Sequence, residues 1–230
     1  MRIRLMILFA TLGFSAGAAL AQSSAVGMPT DFDGVWQIAK ATPKLLTTAG
    51  KTPPLLPAAA AAYAKTSAQL AAGDHSFDLS STLCKPPGEP RTQNQAMPFD
   101  ITQSPTRIII GYQWNRLVRF ITVGGNVAPL GPTYFGTSNA HWQGKTLVVD
   151  VTGFNNEFFL DDSGMPHSDQ LHLTEWFTLT NGGNTLREKI RFEDPETFAK
   201  PWQTVLTYDK LPGARIQQDI CEVRTGLYKG

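Results

Sequence analysis

Cysteine, charge and long apolar runs are all scarce in this sequence, and each scarcity argues against a class of protein. Only two of the 230 residues are cysteines and no CxxC spacing occurs, so thiol redox chemistry and a cysteine metal site have little support. Charged residues make up 17% of the chain, its formal net charge is +1, and it has no basic run. These features give no electrostatic basis for binding nucleic acid or an anionic membrane surface.

The one long apolar run lies at the start of the chain and has the pattern of a secretory signal peptide. Arg2 and Arg4 give a basic start, an apolar run covers 5–20, and Ala19-Leu20-Ala21 has the form of an A-x-A cleavage site. The run is shorter than the roughly 20 residues that a membrane-spanning helix needs. We therefore expect cleavage near Ala21, no membrane insertion after cleavage, and export to the periplasm or beyond.

The two cysteines, Cys84 and Cys221, are far apart in the chain. In an oxidising compartment an isolated pair most often forms one structural disulfide. We predict that disulfide, which would join the segment before the main run of strands to the end of the chain. A redox or metal pair remains the alternative, although no histidine stands near either cysteine.

After the signal peptide (residues 1–21) the chain is predicted to form a single domain. Residues 22–96 contain a first strand around Gly34-Val35-Trp36, a Pro- and Thr-rich connection and an Ala-rich helix over 58–72, with Pro57 suited to its first position and Gly73 to its end. A Gly-x-Trp on a first strand is typical of lipocalin-like barrels, in which the tryptophan closes one end. We expect Arg215 or Arg224 to pack over that tryptophan from a final strand.

Residues 97–230 form the main part of the same predicted domain, and from Phe99 hydrophobicity alternates with a period of two. Predicted strands cover 99–103, 107–114, 117–123, 134–142, 146–152, 171–179, 185–192, 202–208 and 215–222, separated by Gly-, Pro- and Asn-rich turns. With the Trp36 strand, this pattern predicts an all-β fold, either an up-and-down barrel or a sandwich. We predict the barrel, lipocalin-like and antiparallel, with about eight to ten strands and a short N-terminal helix. Such a barrel leaves room inside for one small ligand.

Three ionisable side chains fall on apolar strand faces. Arg119 shares its face with Leu117 and Ile121, and Glu175 and Glu188 lie on the apolar faces of two later strands. Charges on inward faces are costly unless they are paired or used. One interpretation is an internal ion pair that fixes the register of the barrel. The other is a site in which Arg119 binds a substrate carboxylate and Glu175 moves a proton.

Two further residues are candidates for chemistry, each with a structural alternative. Tyr112 lies on the face of Ile108 and Ile110, where its hydroxyl would be either a cavity donor or a satisfied core group. His167 lies in a long loop between two strands, a length typical of functional loops, and would act either as an acid–base group or as a loop cap. The loop is rich in phenylalanine, so we expect it to be a folded wall at the barrel mouth.

The usual cofactor and metal motifs are absent. HExxH, the calcium-loop pattern, G-x-S-x-G and a Gly-rich phosphate loop do not occur. We therefore predict neither a metal nor a cofactor.

Longer motifs extend over nearly the whole mature chain. They are Cys84-x-Pro86-Pro87-Gly88-x-Pro90-Arg91, Trp142-x-Gly144-x-Thr146 through Asp150, Thr152-Gly153-Phe154-Asn155, Pro166-His167-Ser168-Asp169-x-Leu171-His172 with Glu175, Glu193-Asp194-Pro195, Pro201-Trp202 and Cys221-Glu222. Together they resemble a family of secreted bacterial proteins with a lipocalin-like (calycin) barrel. In outline the chain is also similar to cofactor-free decarboxylases of aromatic acids. In those enzymes Tyr and Arg hold the carboxylate and a Glu handles a phenol or a proton.

This resemblance implies a cofactor-independent lyase, most concretely a decarboxylase of an aromatic or other apolar carboxylic acid. The predicted catalytic residues are Tyr112, Arg119, Glu175 and His167. The predicted substrate-binding residues are Arg91, Trp114, Phe154, Asn155, Asp161 and Glu188. The alternative function is a periplasmic carrier that binds a small hydrophobic ligand without turnover. The expected partner is in either case a small aromatic or hydrophobic molecule, and the oligomeric state stays open.

Overall fold

The computed structural model of the chain describes residues 28–227, so the predicted signal peptide lies outside the described residues. These residues form nine strands, three α-helices and two short 3₁₀ helices (Trp114–Arg116 and Asn181–Gly183). The strands are β1 (Gly34–Ile38), β2 (Phe99–Ser104), β3 (Arg107–Tyr112), β4 (Val118–Val123), β5 (Thr137–Gln143), β6 (Thr146–Thr152), β7 (His172–Thr180), β8 (Thr185–Glu193) and β9 (Trp202–Lys210). The α-helices are α1 (Pro57–Ala71), α2 (Leu79–Thr82) and α3 (Cys221–Arg224). None of these helices is long and apolar enough to cross a bilayer.

The nine strands close into one barrel in sequence order. β1 closes the ring, because it pairs with β2 on one side and with β9 on the other. Val35 lies opposite Asp100 of β2 and Gln37 lies opposite Asp209 of β9, both in antiparallel register. The predicted all-β closed barrel of eight to ten strands is therefore confirmed. One neighbouring pair departs from the antiparallel pattern, since β4 and β5 run parallel, with Thr122 opposite Asn139. A closed barrel with an odd number of strands must contain at least one parallel pair. If all nine strands alternated in direction, β1 and β9 would run parallel where the ring closes.

The predicted helix over 58–72 is confirmed as α1, which begins at Pro57 and ends at Ala71. It lies outside the barrel against the long loop between β6 and β7. The hydroxyl groups of Tyr63 and Ser163 are 2.7 Å apart across this contact. The loop itself is folded, as predicted, with Phe158, Leu160 and Met165 buried.

The tryptophan predicted on the first strand lies in the barrel core. Trp36 is fully buried and its indole nitrogen donates a hydrogen bond of 2.9 Å to the carbonyl oxygen of Phe32. The cation over its ring is Lys210, with Nζ 5.1 Å from the ring centroid. The prediction that Arg215 or Arg224 fills this position is wrong.

The predicted strand over 215–222 is also wrong. Residues 214–220 are irregular and α3 follows at Cys221. β9 already pairs with β1 and β8, so the closed barrel offers no free edge for a tenth strand. Arg224 instead lies over Trp114, with its guanidinium carbon 5.6 Å from the ring centroid.

The predicted disulfide between Cys84 and Cys221 is confirmed. It packs with Trp114 in a small apolar cluster that is separate from the barrel core. The bond ties the segment before β2 to α3.

The segment that follows this disulfide fills the mouth of the barrel. We call residues 87–94 the plug segment, because all eight residues are buried although none belongs to a strand. It is folded into tight turns, in which the amide of Thr92 donates to the carbonyl oxygen of Gly88 at 2.8 Å. Phe158 of the long loop packs so closely on Gly88 that a β-carbon added there would collide with its ring.

Candidate functional site

A group of ionisable and polar side chains occupies the interior of the barrel, and we call it the core polar cluster. Its members are Tyr112 (end of β3), Arg119 (β4), Glu175 (β7), Glu188 (β8), Tyr208 (β9), and Glu89 and Gln93 of the plug segment. None of these residues is more than 2% exposed. The strand members point inward because they alternate with outward-facing neighbours, as the burial of every second residue in β8 and β9 shows.

The centre of the core polar cluster is a two-pronged ion pair between Arg119 and Glu175. Nη2 of Arg119 is 2.5 Å from Oε2 of Glu175, and Nη1 is 3.2 Å from Oε1. The remaining nitrogen, Nε, donates to the hydroxyl oxygen of Ser138 at 3.1 Å. Burial alone would lower the pKa of Arg119, but the negative charges of Glu175 and Glu89 raise it above its usual range. The guanidinium is therefore a permanent positive charge inside the barrel.

Glu89 is the carboxyl group that the plug segment carries into the barrel. The hydroxyl of Tyr112 donates to its Oε1, and Nη1 of Arg119 lies 3.9 Å from the same oxygen. Its other oxygen, Oε2, has no hydrogen-bond partner within residues 28–227. Burial raises the pKa of Glu89 to about 7, with Arg119 opposing the shift and Glu175 adding to it. This carboxyl therefore exchanges a proton in the physiological range.

Glu188 and Tyr208 form the other side of the cluster. The phenol of Tyr208 donates to Oε2 of Glu188 at 2.5 Å, and the amide nitrogen of Gln93 lies 3.3 Å from Oε1. Burial, together with the nearby charge of Glu175, raises the pKa of Glu188 well above its usual range. Burial likewise raises the pKa of Tyr208. Burial thus favours the protonated form of Glu188 and the neutral form of the Tyr208 phenol.

The barrel interior below the cluster is apolar and nearly full. A cavity of about 10 Å³ lies there. Its lining residues are Phe32, Ile101, Ile108, Ile110, Ile121, Leu147 and Phe177. That volume is about the minimum for one water molecule, so a ligand can reach the cluster only if the plug segment or the loop above it moves.

The structure brings Tyr112, Arg119, Glu175 and Glu188 together, but it places His167 in the wall above them. The imidazole packs on the ring of Phe158, with 4.1 Å between centroids, and Nδ1 is 2.9 Å from the carbonyl oxygen of Ser168. Burial lowers the pKa of His167, so the ring is neutral at physiological pH. Phe154 is buried beside the same Phe158, with 6.0 Å between their ring centroids.

Three other predicted residues line a separate cleft of about 290 Å³ outside the barrel, namely Arg91, Trp114 and Asp161. Arg91 donates to both carboxylate oxygens of Asp78, at 3.0 and 2.7 Å, and through Nε to Asp162 at 2.7 Å. Asp161 accepts the amide hydrogen of Leu45 at 2.8 Å. Arg91 thus ties the plug segment to the long loop, whereas Asp161 ties that loop to the segment that contains Leu45.

Asn155, the last of the predicted residues, lies in a turn at the start of the long loop. Its side-chain oxygen accepts the amide hydrogen of Glu157 at 3.2 Å. It contacts the loop backbone and is not part of the core polar cluster.

Sequence reasoning missed Glu89, Gln93 and Tyr208. Strand alternation could have identified Tyr208, because this residue lies on the same apolar face as Trp202 and Leu206 of a predicted strand. Glu89 and Gln93 belong to a Pro-rich segment without a period, where alternation cannot say which side chain points inward.

The described residues contain no group of three or more His, Cys, Asp or Glu side chains placed to hold a metal ion. Comparison with known proteins gives no family assignment, because no family model matches the chain and no curated protein matches it.

Proposed function

We propose that the core polar cluster is the active site of a cofactor-independent lyase, most concretely a decarboxylase of an aromatic or other apolar carboxylic acid. The observation that carries this proposal is the pairing of a buried guanidinium with protonatable carboxyls and two phenols inside one barrel. Burying such groups is costly, and strongly shifted pKa values in an enclosed site are typical of acid–base catalysis.

The proposal assigns a step to each group. Arg119 and Tyr112 bind the substrate carboxylate, and Glu175 keeps the guanidinium oriented through its two-pronged contact. The carbon–carbon bond to the carboxylate breaks, carbon dioxide leaves, and the electron pair remains on the former α-carbon, where an aromatic system can delocalise it. The apolar barrel interior favours this loss of localised charge.

Glu188 supplies the proton that the carbon then takes up. Burial raises its pKa and so favours its protonated form, and the hydroxyl of Tyr208 donates to it. Solvent returns the proton to Glu188 after product leaves. This assignment moves the acid role from Glu175, because both oxygens of Glu175 are already bonded to Arg119.

We propose as well that the chain is a member of the secreted calycin-like family that its motifs resemble, with a cleaved signal peptide and a periplasmic or extracellular location. The closed barrel and the buried Trp36 on its first strand support the family proposal. The disulfide between Cys84 and Cys221 supports an oxidising compartment.

A carrier without turnover is the weaker alternative. A barrel that only holds a hydrophobic ligand has no need of three buried carboxyls and a guanidinium, whose burial costs several kcal/mol per ion.

The test is mass spectrometry of the mature protein incubated with a mixed library of aromatic acids, without added cofactor or metal. We expect one acid to be replaced by a species lighter by carbon dioxide. Glu188→Gln should lower that turnover at least about 100-fold, as is usual on loss of a general acid, while retaining ligand binding. Glu196→Gln, a change at an exposed glutamate, is the control. An acid that co-purifies unchanged would support the carrier instead.

A further inference from the structure

The carboxyl of Glu89 occupies the place that the proposed function gives to the substrate carboxylate. Tyr112 donates to it, and Arg119 lies 3.9 Å away. The other ionisable members of the cluster stand on strands or at a strand end, whereas Glu89 arrives on the plug segment, which no ladder of strand hydrogen bonds holds. A segment of this kind can leave without opening the barrel.

Arg119 has donor capacity to spare on this side. A guanidinium carries five N–H donors, and the bonds to Glu175 and Ser138 use three of them. The separation of 3.9 Å between Nη1 and Oε1 of Glu89 is longer than a hydrogen bond. A carboxylate free to move closer would therefore make a stronger contact with Arg119 than Glu89 does.

The two inward side chains of the plug segment are also incompletely satisfied. Oε2 of Glu89 and Oε1 of Gln93 lack hydrogen-bond partners among the described residues. Buried polar atoms without partners are rare and costly. Withdrawing these side chains from the barrel would return both oxygens to water, which offsets part of the cost of moving the segment.

An aromatic surface adjoins the same phenol. The ring of Phe135 stacks on that of Tyr112 with 5.6 Å between centroids and an interplanar angle of 9°. Phe135 is only partly buried, unlike Tyr112, so it lies on the side of the phenol that faces solvent. An aryl group entering from this side would replace one ring stack by another.

We propose that Tyr112 and Arg119 form a carboxylate-binding subsite, that Glu89 fills this subsite in the closed molecule, and that an aromatic monocarboxylic acid binds by displacing Glu89 together with the plug segment. This inference rests on the proposed function for its substrate class. It adds that the chain carries its own competitor for the substrate.

The direct test is to empty the subsite and refill it with a small acid. Glu89→Ala keeps the β-carbon and removes the CH2–COO⁻ end of the side chain. Propionate, a small acid whose carboxyl group and α-carbon match the removed atoms, is therefore the probe, and propionamide is its neutral control. We expect propionate at a hundred times its Kd to raise the Tm of Glu89→Ala by about 5 °C, since ligand binding stabilises by mass action. Propionamide should have no such effect.

Two variants make this result specific. Glu89→Gln keeps the space filled, so its Tm should not respond to propionate. Glu89→Ala combined with Arg119→Met lacks the guanidinium, so its response should also disappear. An equal rise of Tm in either variant, or no rise in Glu89→Ala, would overturn the subsite.

A second measurement on the unaltered protein covers the case in which Glu89→Ala does not fold. Hydrogen exchange is followed with benzoate and with benzamide as the neutral control. Benzoate should speed exchange in peptides covering residues 87–94 and leave β7 peptides unchanged. Unchanged protection of the plug segment in saturating benzoate would refute its displacement.

These outcomes separate the inference from the proposed function. Refilling by propionate without turnover of any library acid would keep the carboxylate subsite and discard the lyase. Turnover without refilling would keep the lyase and discard Glu89 as the competitor.

Discussion

Glu89 is fully buried, and Tyr112 donates a hydrogen bond to only one of its two carboxyl oxygens. Its pKa is raised to about 7 from the ordinary value of 4.5. Between these two values the folded state binds a proton that the unfolded state has released. Glu89 therefore stabilises the fold at low pH, and this contribution is lost as pH rises through about 7. A shift of this size corresponds to about 3 kcal/mol, at 1.36 kcal/mol per pKa unit.

We predict that Glu89→Gln removes this dependence. The free energy of unfolding of the variant, minus that of the original protein, should rise by about 3 kcal/mol between pH 4.5 and 7, because the amide does not titrate. Urea unfolding at several pH values measures it. The pKa of His167 does not depend on Glu89, so its contribution is the same in both proteins and cancels in the difference. A difference that stays constant with pH, as expected for exposed Glu196→Gln, would show that Glu89 is not buried as described.

The pair of Arg119 and Glu175 gives a second prediction at this scale. Arg119→Met leaves Glu175 as a buried charge without its partner, which should cost about 3–5 kcal/mol in the free energy of unfolding. The double variant Arg119→Met with Glu175→Leu removes both charges and should recover most of that loss. Equilibrium unfolding of the original protein, the single variants Arg119→Met and Glu175→Leu, and the double variant checks it. If the double variant is as unstable as the sum of the two single variants, the two side chains do not interact.

Whether a site residue could be predicted depended on the kind of segment that carries it. Tyr112, Arg119 and Glu188 follow from strand alternation, because a period of two fixes which side chains point into a barrel. The same reasoning could have found Tyr208. It could not find Glu89, since the direction of a side chain in an irregular segment depends on tertiary contacts such as that of Phe158 with Gly88.

Among the elements, the plug segment depends most on a single close approach. Gly88 has φ +75°, and an added β-carbon would collide with the Phe158 ring. Gly50 has φ +72° with nothing within 4 Å of such a carbon, so it is a matched control for backbone strain alone. We predict that Gly50→Ala costs about 1–2 kcal/mol, the usual strain of a left-handed alanine.

Gly88→Ala should cost about 1–3 kcal/mol more, because the ring or the plug segment has to shift. Hydrogen exchange in peptides over residues 87–94 should also become faster in Gly88→Ala than in Gly50→Ala. Equal stability and equal exchange in the two variants would mean that Phe158 yields without disturbing the plug segment.

Elements whose residues act locally on the backbone could be predicted from the sequence. Elements that depend on how the barrel closes could not. The sequence from Pro57 to Gly73 predicts α1 because proline, alanine and glycine each act locally on the backbone. The pattern over 215–222 resembles a strand, but a strand needs a free partner edge, and β9 and β1 already pair with each other. The parallel pair of β4 and β5 was likewise invisible, since alternation does not encode strand direction.

At the scale of the whole molecule, the disulfide connects positions 137 residues apart. By the chain-entropy argument, a loop of this length contributes about 5 kcal/mol through restriction of the unfolded chain. We predict that Cys84→Ser with Cys221→Ser lowers the urea midpoint while the barrel remains folded, because the bond lies outside the barrel core.

Reducing agent should shift the midpoint of the original protein to that of the double variant and leave the variant unchanged. Near-ultraviolet circular dichroism reports the folded barrel. Loss of the folded signal on reduction would show that the barrel depends on this bond for its structure.

The closure of the barrel at β1 also affects how the chain can fold. Trp36 lies opposite Phe99 of β2 and opposite Lys210 of β9, so the ring is complete only after β9 has paired with β1. Contacts of such long sequence separation form slowly, and until they form the strand edges stay open to pairing with other chains. In a chain that stops before β9, the edges of β1 and β8 would stay unpaired permanently. The barrel can therefore close only when the ninth strand is present.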